Sequence, residues 1–108
     1  MNKLKTVYIA HPLRGDVEGN VKRATDICKE LAGKGEVIPF SPLHAFNFMD
    51  AEGDQTLALR YCFQLLSKVD ELWVFGDWEE SEGCRMEIVF AMQNKIPIQF
   101  MNLGVRYE

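Results

Sequence analysis

The tetrapeptide Leu72-Trp73-Val74-Phe75 is apolar at every position, a pattern that suits a strand covered on both of its faces. Such cover comes from helices packed on either side of a parallel sheet, so this short run predicts a central strand of an α/β domain. The rest of the chain alternates around it. Thr6-Val7-Tyr8-Ile9-Ala10 is a β-rich run stopped at His11-Pro12. Val17, Val21, Ala24, Ile27, Cys28 and Leu31 recur at helical spacing and predict a helix over residues 17–32, ended by Gly33-Lys34-Gly35. Residues 36–40 predict a second strand at an edge or ending early, because Pro39 cannot donate to a ladder. Residues 41–53 read as loop with at most one helical turn. Beyond Asp54, the expected N-cap, Ala58, Tyr61, Cys62, Leu65, Leu66 and Val69 trace a second apolar stripe. Cys84, Ile88, Ala91 and Met92 trace a third, and residues 96–100 predict a fourth strand.

The economical architecture is one domain over residues 1–108. It is a three-layer sandwich with a mainly parallel sheet of about four to five strands, flavodoxin- or Rossmann-like, with right-handed crossovers. In such a sheet the loops after each strand converge at the carboxyl edge, where ligands bind beside the reversal of strand order. Residues 11–19, 41–50 and 77–83 are therefore expected to meet.

Several classes of function are disfavoured. A net charge of -4 argues against a nucleic acid polymer as partner. The chain has no apolar run of membrane-spanning length, and Met1-Asn2-Lys3-Leu4-Lys5 leads directly into a strand instead of a signal-peptide core. A cytoplasmic protein without membrane contact is expected. Cys28, Cys62 and Cys84 show no Cys-x-x-Cys spacing, and His11, His44 and Cys84 lack the spacing of a metal motif. Neither a metal nor another cofactor is expected.

The chemistry concentrates in Ser81-Glu82-Gly83-Cys84-Arg85-Met86-Glu87. A Ser-x-Gly pair opening a helix offers backbone N–H groups to an anion, with Cys84 following on the same turn. Glu87 lies three residues after Cys84 and four before Ala91, which borders the buried stripe. Its side chain tilts toward the helix N-terminus and so toward the carboxyl edge. There the macrodipole favours the ionised form, which suits attack more than proton donation. Arg14, with Gly15 beside it in the loop after the first strand, is placed to grip phosphate opposite Ser81, and His11 stands in the same loop. Tyr8 reads either as a contact to a sugar or a carboxylate or as a core residue with its hydroxyl at the sheet edge. Asp77, directly after the central strand, is the best candidate for a second catalytic carboxylate. Phe46, Phe48, Met49 and Trp78 are expected to be exposed, so a homodimer or higher homo-oligomer is expected.

Two motifs resemble the nucleoside 2-deoxyribosyltransferase-like superfamily, in its deoxynucleoside monophosphate N-glycosidase branch and near a bacterial and phage domain of unknown function. Residues 8–15, Tyr8-Ile9-Ala10-His11-Pro12-Leu13-Arg14-Gly15, look like that branch's opening strand and phosphate loop. Ser81-x-Gly83-x-x-x-Glu87 looks like its later motif. The resemblance implies Tyr8 and Arg14 as substrate contacts, Ser81 as a phosphate ligand and Glu87 as nucleophile. It implies an N-glycosidase or deoxyribosyltransferase acting on a small-molecule nucleoside or nucleoside 5'-monophosphate. A non-catalytic nucleotide or nucleotide-sugar sensor is the alternative. Where the superfamily usually carries an aspartate ahead of the third strand, this chain has Arg60-Tyr61-Cys62.

Overall fold

A computed structural model describes residues 3–101. Four parallel strands, β1 (Lys5–Ala10), β2 (Val37–Phe40), β3 (Glu71–Val74) and β4 (Ile98–Phe100), form one sheet in the order β2-β1-β3-β4. They alternate with α1 (Val17–Lys34), a single-turn α2 (Pro42–Ala45), α3 (Thr56–Leu66) and α4 (Glu82–Gln93). The expected α/β sandwich is present. β3 is interior and the proline-bearing β2 is an edge.

Helix ends follow local chemistry. Asp16 caps α1, its Oδ1 accepting from the Gly19 N–H at 3.1 Å. Gly35, at φ 68°, closes it by donating to the carbonyls of Leu31 and Ala32. Because Gly35 and not Gly33 takes the left-handed position, α1 runs two residues beyond the expected end. At α3 the N-cap is Gln55, whereas Asp54 was expected. Asp54 instead accepts from the Thr56 N–H at 2.9 Å, one position farther out than a cap. Trp78–Glu80, expected as loop, forms a 3-10 turn.

α1 lies on one face of the sheet and α3 with α4 on the other. β1 serves both faces by alternation. Tyr8 and Ala10 join Cys62, Leu66, Leu72, Val74, Cys84, Ile88 and Ala91 in the core under α3 and α4, while Val7 and Ile9, fully buried, face the other way. On that second face Glu71 links three strands. Its carboxylate accepts from Lys5 Nζ at 2.6 Å, Trp73 Nε1 at 2.8 Å and Gln99 Nε2 at 3.1 Å. The Lys5 ammonium, first among these, holds the Glu71 carboxyl below its ordinary range.

Of the aromatic residues expected on the surface, Phe48 is exposed. Phe46 and Trp78 are not. Phe46 packs against Tyr61 and Phe48, and Trp78 against Phe100 at a ring separation of 5.2 Å, both half-buried on the core. Met49 is also half-buried. No helix among the described residues is long and apolar enough to cross a membrane.

Candidate active site

The reversal of strand order lies between β1 and β3, and the loops that leave these two strands open a cleft of about 1440 Å³ at the carboxyl edge. Residues from the loop after β2 and from the starts of α3 and α4 complete its walls. The expected convergence of three loops is what the sheet topology produces.

Glu87 stands in the second turn of α4, lines the cleft and is 7% exposed. Behind it, Tyr8 reaches up from β1, and its hydroxyl donates to Glu87 Oε2 at 2.5 Å. The Cys62 thiol, from α3, also bonds to this carboxylate. Burial pushes the Glu87 carboxyl up to about 7, against the opposing pull of the Tyr8 and Cys62 hydrogen bonds. This corrects the expectation of a carboxylate kept ionised by the helix dipole. The dipole acts within the first turn, and Glu87 lies beyond it in a desolvated position.

The neighbours of Glu87 hold their protons tightly. Burial raises the Tyr8 phenol well above its ordinary value, the Cys62 thiol to about 11 and the Cys84 thiol to about 12. The adjacent Glu87 adds to all three shifts.

At the start of α4, the Ser81 hydroxyl accepts from the Cys84 N–H at 3.2 Å. Ser81 is therefore a cap, and Cys84 gives its N–H to that cap while its side chain is 2% exposed. Helix geometry leaves the N–H groups of Glu82 and Gly83 as the donors without intrahelical partners. A Cβ added at Gly83 would meet nothing nearer than Ser81 Oγ at 3.9 Å and Gln55 Oε1 at 4.0 Å. Internal packing does not demand glycine there, and the free space lies over the helix start.

Residues 8–16 depart from expectation in several ways. Tyr8, which the resemblance implies as a substrate contact, is fully buried and outside the cleft lining, a core residue whose hydroxyl meets the Glu87 carboxylate. The Arg14 guanidinium donates from Nε to the Ala51 carbonyl at 3.0 Å and from a terminal nitrogen to the Gly53 carbonyl, clamping the loop before α3. It lines the cleft but is engaged there. Gly15, at φ 95°, lies outside the lining and offers its N–H to Glu52 Oε2 at 3.4 Å. His11 is 6% exposed, and its Nδ1 donates to the Pro12 carbonyl at 2.8 Å. Burial lowers its pKa, so the ring is neutral and presents Nε2 as an acceptor. That nitrogen offers no proton to a phosphate oxygen, and it lies beside Gly76. Asp77, exposed, lines the cleft beside His11. His44 is held elsewhere, by Thr25 Oγ1 at 2.7 Å and Ser41 Oγ at 2.6 Å.

The chain belongs to the domain of unknown function DUF7768, whose family model matches residues 5–101. A comparison with curated proteins found no match. The DUF7768 match spans all four strands and every residue of the cleft.

Two residues that line the cleft, Cys62 and Gln55, were not legible as such in the sequence. Cys62 appeared only as a member of an apolar stripe, and the available signal was its place one turn before Leu66 on a helix leading into the central strand. Gln55 carried no signal at all. It reaches the α4 start because α3 and α4 pack side by side.

Proposed function

We propose that the chain is an N-glycosidic bond hydrolase or deoxyribosyltransferase acting on a nucleoside or nucleoside 5'-monophosphate, with Glu87 as nucleophile. The observation that carries this reading is the Tyr8–Glu87 contact at the floor of the cleft, a desolvated carboxylate held in one orientation with a pKa near 7. A carboxylate so placed forms a bond to an anomeric carbon as positive charge develops there, and water or a second base then displaces it. Tyr8 and Cys62 stabilise the ionised form that must attack. Glu82 and Gly83 line the cleft, and their N–H groups at the α4 start are the donors that would meet a hydroxyl or phosphate of the sugar.

Incubation with a panel of nucleosides, deoxynucleosides and their 5'-monophosphates, followed by chromatography for free base, tests the reading. Base release by the wild type that disappears in Glu87→Gln supports it. Thermal stabilisation by these compounds without base release supports the alternative of a nucleotide-binding sensor.

A further inference from the structure

Nine of the chain's sixteen carboxyl side chains line the cleft, whereas among the described residues two of its twelve lysines and arginines do so. Three of these carboxylates, Asp16, Asp26 and Glu30, are paired with Arg23, Lys22 and Lys34, and the other six give the cleft its acidity, whereas among the described residues outside it basic groups outnumber acidic ones. Both cationic side chains in the lining are already committed. Arg14 holds the carbonyls of Ala51 and Gly53, and Arg23 bonds to Asn20 Oδ1 at 2.8 Å and Asp16 Oδ2 at 3.4 Å. Near the α4 start, Asp77, Glu80 and Glu82 line the same cleft as Glu87.

We infer that the substrate of this site carries its positive charge on the leaving base, as in a pyridinium nucleoside or an N-alkylated purine nucleoside. The inference rests on the N-glycosidic reading above. A cationic aglycone is drawn by the field of the cleft, and the same field opposes a phosphate dianion, which narrows the substrates proposed above to nucleosides. The leaving step fits as well. The Glu87 carboxylate forms a bond to C1', the C1'–N bond breaks, and its electron pair neutralises the ring nitrogen, so the base departs without receiving a proton. Water then attacks C1', the ester C1'–O bond returns its pair to Glu87, and the proton of the water goes to solvent. Tyr8, Cys62 and Cys84, the groups packed around Glu87, are very weak proton donors, which a neutral aglycone would find unhelpful and a cationic one does not need.

The test uses the intact chain with nicotinamide riboside and 7-methylguanosine as cationic probes, and inosine, guanosine and their 5'-monophosphates as comparators. Binding is separated from intrinsic bond lability by titrating Glu87→Gln with 1-methylnicotinamide and with neutral nicotinamide. We expect Glu87-dependent release of base from the cationic nucleosides, and a Kd for 1-methylnicotinamide about tenfold below that for nicotinamide at low salt, converging as salt rises. The isosteric double variant Glu80→Gln/Glu82→Gln is expected to raise KM for nicotinamide riboside about two- to fourfold while leaving nicotinamide binding unchanged. Glu87-dependent release from neutral nucleosides or monophosphates, with equal binding of the two nicotinamides, overturns the charge inference and leaves the N-glycosidic reading standing. Absence of base release from every compound, with both nicotinamides bound equally, overturns both.

Discussion

Replacing Glu87 by glutamine is expected to stabilise the fold, by an amount set by pH. The Glu87 carboxyl titrates near 7 in the folded chain against an ordinary value of 4.5. Below 4.5 both the folded and unfolded states hold the proton, and the acid costs nothing. Between 4.5 and 7 only the folded state holds it, so the unfolded state gains from releasing it and stability falls as pH rises. Above 7 both states are ionised and the loss is complete. At about 1.4 kcal/mol for each pH unit, the penalty reaches about 3 kcal/mol. Glutamine is neutral throughout, and its carbonyl still accepts from Tyr8. The variant should therefore match the wild type near pH 4.5 and exceed it by about 3 kcal/mol at pH 8, which is roughly 10–20 °C in Tm for a domain of this size. Urea unfolding of both proteins from pH 4.5 to pH 8 measures the difference, in which all other titrations cancel. A difference that does not change with pH, or a variant less stable at pH 8, would show that Glu87 is not desolvated and would refute the reasoning.

Tyr8→Phe removes a donor that favours ionised Glu87, so the Glu87 midpoint is expected to rise above 7 by about one to two units, the equivalent of a hydrogen bond to a charged group. Side-chain carboxyl NMR of the labelled protein reads that midpoint, and an unchanged value would place the phenol elsewhere. Gly76→Ala is expected to cost about 1–3 kcal/mol in chemical denaturation. Gly76 has φ 73°, and an added Cβ would stand 3.0 Å from Pro12 Cδ and 3.2 Å from His11 Nε2, so the strain falls where the loops after β1 and β3 touch. A neutral result would mean that this junction relaxes freely.

The fold was legible because its signals are local. A strand apolar at every position demands cover on both faces, and the three helical stripes supply it, so Leu72 to Val74 could be assigned to the sheet interior without any partner being known. Boundaries were less legible where two residues could perform the same task. Gly33 and Gly35 can each accept a left-handed conformation, and the choice of Gly35 follows from which carbonyls, those of Leu31 and Ala32, its N–H meets. Glu71 was invisible as a strand residue because its worth lies in Lys5, Trp73 and Gln99, which come from three strands.

At the site, position was readable and protonation was not. Helical spacing places Glu87 beside the buried stripe, yet its charge state is a contest between two effects of unequal size. A helix dipole contributes about 0.3–1 kcal/mol to a carboxylate in the first turn, whereas the shift to about 7 corresponds to about 3 kcal/mol of desolvation left after the hydrogen bonds have acted. Desolvation, the stronger of the two, depends on how deeply Tyr8 and Cys62 bury the carboxylate, and Tyr8 lies 79 residues away in the chain. Arg14 presents the same difficulty with the opposite sign. Sequence announces a cation in a glycine-bearing loop, but its partners are the carbonyls of Ala51 and Gly53, which carry no residue-type signature at all. A side chain's identity thus predicts where a charge can go. Whether it is free to meet a ligand depends on backbone groups that only the assembled loops bring within reach.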